Sequence, residues 1–157
     1  MKIGILSDSH DNLPRILKAV RFFNRQKVGL VLHAGDFVAP FTVQKLGALV
    51  MPWHGVFGNN DGEKNGLSKI SAGRIQPGPV RLRLDAKRIT LVHDLSSINP
   101  HIEKADFIIC GHTHKPEIRK LGAKLIINPG ESGGWLSNKA TVAILDLNKA
   151  SAKIVKI

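Results

Sequence analysis

Residues 3–6 form a short apolar run that stops at Ser7-Asp8-Ser9-His10, the profile of a strand buried on both faces. Leu13, Ile16, Leu17, Val20 and Phe23 then recur at helical spacing. They predict a helix over 13–25, capped by Asp11 or Asn12 and with Pro14 in its first turn. Residues 28–32 and 52–57 are two more apolar runs, and 41–50 reads as a second helix behind Pro40. Strand and helix in alternation predict parallel strands joined by crossover helices.

The pattern changes after residue 78. Val80-Arg81-Leu82-Arg83-Leu84 alternates with period two and is followed, past Asp85-Ala86-Lys87, by 88–92, which predicts a hairpin with one solvated face. Residues 106–110 read as a buried strand. Residues 117–121 and 124–127 flank Gly122-Ala123 as a second hairpin, and 141–147 with 152–157 close the chain as a third. Residues 62–78 contain Gly, Ser and Pro without a period and predict a loop with at most a short helix. The sum is an α/β fold, one domain over 1–157, with antiparallel strands dominating its second half.

Polar side chains on such sheets do their chemistry at the C-terminal ends of strands. Here the strand ends run into Asp8-Ser9-His10, through His33 into Gly35-Asp36, into Gly58-Asn59-Asn60-Asp61, into His93-Asp94, and into Gly111-His112-Thr113-His114. One such block is ordinary turn chemistry. Five blocks, each behind its own strand, form a constellation. His112 and His114 are alternate residues on an extended segment and can point the same way. Imidazole, carboxylate and amide oxygen without thiolate suit manganese, iron, cobalt, nickel or zinc. Seven such ligands are too many for one ion, and two ions sharing a carboxylate would use them all. A two-metal centre polarises a phosphoryl group and generates hydroxide near neutral pH, so metal-assisted hydrolysis of phosphate esters is the leading chemistry.

Composition narrows the setting. Of 157 residues, 43% are hydrophobic and 22% charged, which fits a packed domain and argues against disorder. The one cysteine, Cys110, allows no intrachain disulfide and points to a reducing compartment. No apolar stretch approaches the roughly 20 residues of a membrane span, and Ser7–His10 arrives too early for a signal peptide. A cytoplasmic protein without a membrane partner is expected. The net charge of +11 is either a solvated basic surface or the footprint of phosphate esters, nucleotides or nucleic acid. Aromatics are only 5% and no nucleic-acid module is recognisable. Edge strands leave a homo-oligomer open.

Taken in order, Asp8-x-His10, Gly35-Asp36, Gly58-Asn59-x-Asp61, His93 and Gly111-His112-Thr113-His114, followed by Asn128-Pro129-Gly130, resemble the calcineurin-like metallophosphoesterases. The resemblance is strongest to their small single-domain phosphodiesterase branch and runs from Met1 to about Leu147. It implies a four-layer α/β/β/α sandwich of two mixed sheets flanked by helices. It implies one metal on Asp8, His10, Asp36 and His114, a second on Asp36, Asn59, His93 and His112, and Asp36 as the bridge. A hydroxide shared by two divalent transition-metal ions would attack phosphorus. Manganese comes first among the ions, with nickel, cobalt, zinc or iron as alternatives. The substrate would be a small phosphate ester or a nucleotide.

Asn60 and Asp61 are the catalytic candidates outside the ligand set. The family usually carries His or Cys where Asn60 stands. Asn60 donates a hydrogen bond but supplies no proton at pH 7, which predicts poor turnover of esters with basic alkoxide leaving groups. Asp61 is expected to support residue 60 or cap the next turn. Asp94 replaces a frequent Gly, Glu131 replaces a Ser, and the helix before residue 106 is expected to shrink to 100–104. A non-catalytic metal-binding scaffold of the same fold, as the retromer subunit with its impaired metal centre resembles, and a nucleic-acid-directed nuclease are the alternatives; the full ligand set favours the enzyme.

The remaining residues read as support. His33 and His54 are expected as packed histidines, His101 as solvated and Asp11 as a helix cap. Cys110, Phe22, Phe23, Phe37 and Phe41 are expected to pack, and Trp53 and Trp135 are read as packing residues ahead of base-stacking platforms. Lys64, Arg74 and Lys115 lie near the motifs and are read as solvated.

Overall fold

A computed structural model describes all residues from Met1 to Ile157. The chain forms β1 (Lys2–Leu6), α1 (Leu13–Gln26), β2 (Leu30–His33), α2 (Pro40–Leu46), β3 (Trp53–Val56), α3 (Lys64–Ile70) and β4 (Ile75–Gln76). It continues with β5 (Val80–Leu84), β6 (Lys87–Leu91), β7 (Phe107–Ile109), β8 (Glu117–Leu121), β9 (Lys124–Asn128), β10 (Thr141–Asp146) and β11 (Ser151–Lys156). One sheet has the order β11-β10-β1-β2-β3-β4 and the other β5-β6-β7-β9-β8. Both are mixed. β1 to β4 run parallel, with β10 and β11 added antiparallel at one side.

The period-two alternation of each strand sorts its residues between layers. Ile3, Ile5, Leu30 and Leu32 meet Ile89, Leu91, Phe107, Ile109 and Ile127 in the core between the sheets. Leu6, Val31 and Trp53 face the helices instead, against Ile16, Ala19, Val20 and Phe23 of α1, Val43 and Leu46 of α2 and Leu67 of α3. Each large side chain buried this way contributes on the order of 1.5–3 kcal/mol. Gly4 lets α1 lie close on β1, because a Cβ there would sit 2.6 Å from the Phe23 ring. Two mixed sheets flanked by helices is the architecture that the family resemblance implies.

Several details differ. α2 ends at Leu46 rather than 50, because Gly47 follows and the chain turns through Ala48 and Leu49. Phe41 lies on the solvent side of its first turn and is 59% exposed. The stretch 62–78 holds α3 and also the two-residue β4, which pairs with Gly55 and Val56. In the second sheet β6, β7 and β9 are parallel, so only the edge strands β5 and β8 are antiparallel. The expected helix over 100–104 is a turn. The outer face of this sheet is covered by the segment after His93, with one 3-10 turn at Leu95–Ser97 capped by the Asp94 carboxylate. Asn12 caps α1, while Asp11 accepts from the Thr42 hydroxyl at 2.6 Å and ties α1 to α2. No helix is long and apolar enough to cross a membrane.

Candidate metal centre

The parallel pairing of β1, β2 and β3 puts Asp8, Asp36 and Asn59 at neighbouring strand ends. The loops after these strands are laced together by main chain. Asp8 N–H donates to Gly35 O at 3.0 Å, and Ser9 and His10 N–H both donate to Asp36 O at 3.1 Å. From the second sheet, His112 N–H donates to the Asp8 carboxylate at 3.2 Å. The Asn128-Pro129-Gly130 turn supports that loop, since Asn128 Nδ2 donates to Gly111 O at 2.8 Å. Asp8, His10, Asp36, His112 and His114 all have positive φ, between 42° and 69°. Such conformations cost about 1–3 kcal/mol each and persist where surrounding contacts over-determine them.

One cluster contains Asp8, His10, Asp36 and His114, whose donor atoms lie within 4.8 Å of one another. His10 Nε2 stands 3.5 Å from Asp36 Oδ2, and His114 Nε2 stands 3.5 Å from Asp8 Oδ1. These separations are too long for hydrogen bonds. They match two ligands of one ion, since donors at about 2.1 Å from a metal and at a tetrahedral angle lie about 3.4 Å apart. His10 Nε2 is buried without a hydrogen-bond partner, as is His114 Nδ1, which lies 3.6 Å from Glu131 Oε1. Burial raises the Asp8 carboxyl above the usual range; Ser7 and the nearby His114 and His93 oppose that rise, and the Asp36 charge adds to it. Buried carboxylates facing each other in this way call for cationic compensation.

The other cluster contains Asn59, His93, His112 and the second oxygen of Asp36. His93 Nδ1 lies 2.7 Å from Ala34 O, a pure acceptor, so that nitrogen carries the proton. The Nε2 lone pair then faces Asn59 Oδ1 at 2.8 Å and Asp36 Oδ1 at 3.6 Å. His112 Nδ1 approaches the same amide oxygen at 2.9 Å. The His93 Nε2 lone pair, Asn59 Oδ1 and Asp36 Oδ1 are converging acceptors, which a cation satisfies and a neutral His93 ring does not. Asp36 lies between the clusters, with Oδ2 toward His10 and Oδ1 toward His93. The donor set therefore fits the two-ion expectation, and all seven sequence-nominated ligand positions are brought together.

Asn60 and Asp61 occupy different places. Asn60 donates to Asp36 twice, from its main chain at 2.9 Å and from Nδ2 at 2.7 Å, so its amide is directed at the carboxylate. Asp61 is buried and fully engaged by main chain: Oδ2 accepts from Gly58 and Asp36 at 2.7 and 3.2 Å, and Oδ1 accepts from Val38 at 2.7 Å. It braces residues 36–38 against residue 58 rather than supporting residue 60. Gly58 is required by the same close approach, because a Cβ there would lie 2.1 Å from Asp36 Oδ1.

His33 is a packed histidine, as expected, and a connected one. Its ring stacks on Phe37 at 3.7 Å. Nδ1 accepts from Gly35 N–H at 3.2 Å, leaving Nε2 to donate to Ser9 Oγ at 3.0 Å, and Ser9 Oγ donates to Asp36 O at 3.2 Å. Burial, reinforced by His93 and His10, holds its pKa well below 6.5. The unfolded chain therefore binds a proton that the folded chain refuses. Stability is retained above about pH 6.5 and falls below it by up to about 1.4 kcal/mol per pH unit. Urea unfolding of His33→Gln between pH 7 and 5 should show a slope shallower by that one proton; an unchanged slope would contradict the assignment.

Glu131 and Trp135 take places that their local sequence does not foretell. Glu131 is buried and accepts from the N–H groups of Trp135, Leu136 and Ser137 and from the Ser137 hydroxyl. Burial opposes its ionisation, and these bonds outweigh it, holding the carboxyl below the usual range. Trp135, expected to pack, is 61% exposed, with its indole N–H on His10 O at 3.1 Å. His54 is likewise exposed rather than packed. Lys64 lies over the Phe57 ring and Arg74 over Trp53. Beside the second cluster a cleft of about 240 Å³ is lined by Phe57, Asn59, Val92, His93, Asp94 and His112.

Residues 1–150 match the family model of the calcineurin-like phosphoesterase superfamily domain. A phosphodiesterase of Methanocaldococcus jannaschii is 38% identical over 157 aligned residues, covering 95% of this chain and 95% of that protein. Among solved structures, an archaeal phosphodiesterase matches with a TM-score of 0.92 at 34% identity over 100% of both chains. A phosphoesterase from E. coli matches with a TM-score of 0.78 at 23% identity, again over 100% of both, which is a likeness of fold.

Proposed function

The chain belongs to the calcineurin-like phosphoesterase superfamily, and from that premise we propose that it is a metal-dependent phosphodiesterase, a hydrolase of small phosphate esters. The observation that carries this reading is Asp36, a buried carboxylate whose two oxygens face two separate groups of histidines. In this reading Asp8, His10, Asp36 and His114 hold one divalent ion, and Asp36, Asn59, His93 and His112 hold the other. Bound there, the ions supply positive charge to the phosphoryl oxygens and acidify water. Manganese suits the mixed oxygen and imidazole donors, and nickel, cobalt, zinc and iron are the competitors.

The chain's own groups prepare that centre. Ala34 O fixes the proton of His93 on Nδ1 and turns Nε2 inward. Asn60 holds both oxygens of Asp36. Asp61 sets the loop that carries Asp36. None of these groups is an acid placed to protonate a leaving oxygen, so the enzyme depends on the leaving group's own stability. Aryl diesters should turn over well and alkyl diesters poorly. Asn60→His should raise the alkyl-to-aryl rate ratio by about 10²-fold, the low end of general acid catalysis. No gain on alkyl esters would remove that role for position 60.

The test of the function is hydrolysis of a bis-aryl phosphate by metal-stripped protein reloaded with manganese, nickel, cobalt, zinc or magnesium. Activity should vanish on stripping and return on reloading. Activity that survives stripping would overturn the assignment. The complete donor set favours the enzyme over a scaffold whose metal centre is impaired.

A further inference from the structure

Trp135 sits beside the proposed centre in a way that the ligand set does not explain. Tryptophan is normally packed, and the other one in this chain, Trp53, is buried. Trp135 is 61% exposed and its neighbour Leu136 is 76% exposed. The loop that presents them is tightly built. The buried Glu131 carboxylate gathers the N–H groups of Trp135, Leu136 and Ser137, with Leu136 at 2.9 Å and Ser137 at 3.0 Å. Gly133 N–H donates to Asp8 O at 3.0 Å, and Asn12 Nδ2 donates to Gly133 O at 2.6 Å. The indole is then pinned at its one polar atom, Nε1, to the carbonyl of His10. A rigid aromatic face is thus held in solvent, one residue's reach from a side chain of the first cluster. An indole held by its N–H beside the site leaves its ring faces free for a flat group to stack on.

We propose that Trp135 is a stacking platform for a planar aromatic group of the phosphodiester, either an aryl leaving group or a nucleobase, and so sets substrate preference. This rests on the phosphodiesterase reading above and deepens it. It also agrees with Asn60: a site without an acid favours leaving groups that depart unprotonated, and aryl oxides are among them. The chemistry recognised is a flat π face near a phosphate, with Leu136 as an apolar flank.

Two measurements test it. With reloaded enzyme, Trp135→Ala should raise KM for a bis-aryl phosphate about tenfold, within the range of base–aromatic stacking, while kcat and bound metal per chain stay unchanged. Trp135→Phe keeps a ring but loses the N–H bond to His10, and should retain most of the affinity. If Phe is as poor as Ala, the residue acts through His10 and the platform is overturned. The second measurement needs no turnover. In a Trp53→Phe background, with zinc loaded, Trp135 fluorescence should be quenched saturably by AMP but not by ribose 5-phosphate, or by phenyl phosphate but not by methyl phosphate. Whichever pair separates identifies the nucleobase or the aryl group as the occupant. Equal responses within both pairs would overturn the inference, even for an active enzyme. An enzyme that hydrolyses no diester would sink the functional reading, while the fluorescence pairs would still decide the role of Trp135.

Discussion

Asp36→Asn should lower kcat/KM on a bis-aryl phosphate by at least about a thousandfold, which corresponds to about 4 kcal/mol of transition-state stabilisation. The substitution keeps the shape and removes the charge. It also places an amide N–H₂ toward one of the histidine groups, where an acceptor oxygen now faces His10 or His93. Bound metal, measured by elemental analysis, should fall below two ions per chain. The metal-dependent part of stability should change far more than the metal-free part. In the metal-free protein the substitution relieves a charge that adds to the burial disfavouring ionised Asp8, but it also exchanges one of the two oxygens that accept from Asn60 for a donor, so metal-free Asp36→Asn should melt close to metal-free wild type. What the variant should lose is the rise in Tm on adding metal, because a ligand that binds only the folded state stabilises it by mass action. Wild-type activity or an undiminished metal-induced rise in Tm would contradict the role of Asp36.

The second large effect falls on Asp61, which touches none of the facing donor atoms. Asp61→Ala leaves the N–H groups of Asp36, Val38 and Gly58 without their acceptors in a buried loop. Orphaned buried donors cost about 1–3 kcal/mol each. Allowing for water entering the space, the loss should be about 3–5 kcal/mol, read from the urea midpoint of metal-free protein. Because the same bonds set the height of Asp36, metal affinity should also fall, by about 10–100-fold, the usual consequence of removing a group that orients a ligand. Asp61→Asn keeps one acceptor oxygen and should lie between. A variant within about 1 kcal/mol of wild type would mean that the loop is held by other contacts.

Much of this centre is legible in the chain because the relevant pattern is local. Each apolar run ends in its own polar block, and neither the strand nor the block depends on distant partners. Asp8, Asp36, Asn59, His93 and His112 could therefore be nominated without knowing which strand lies next to which. What depends on distant partners was not legible. The parallel pairing of β7 with β9 follows from a register between residues 107–109 and 125–127, and the sequence between them reads equally well as hairpins. β4 exists only because Gly55 and Val56 present a free edge to Ile75 and Gln76. Helix α2 carries apolar residues past its end, and only Gly47 marks the stop. Asn60 reads as a group aimed at substrate, yet it points back at Asp36 because the tight turn at Gly58 brings it there. The exposure of Trp135 was invisible for a similar reason. An aromatic side chain ordinarily packs, and the bond network around Glu131 that holds this one outward exists only in three dimensions.

The central claim is that seven side chains from five separated segments hold two ions through a shared Asp36. Crystals grown with manganese and measured at its absorption edge test that claim most directly. Two anomalous peaks are predicted, one among Asp8, His10, Asp36 and His114 and the other among Asp36, Asn59, His93 and His112. A single peak, or peaks that leave Asp36 uncoordinated, would contradict it.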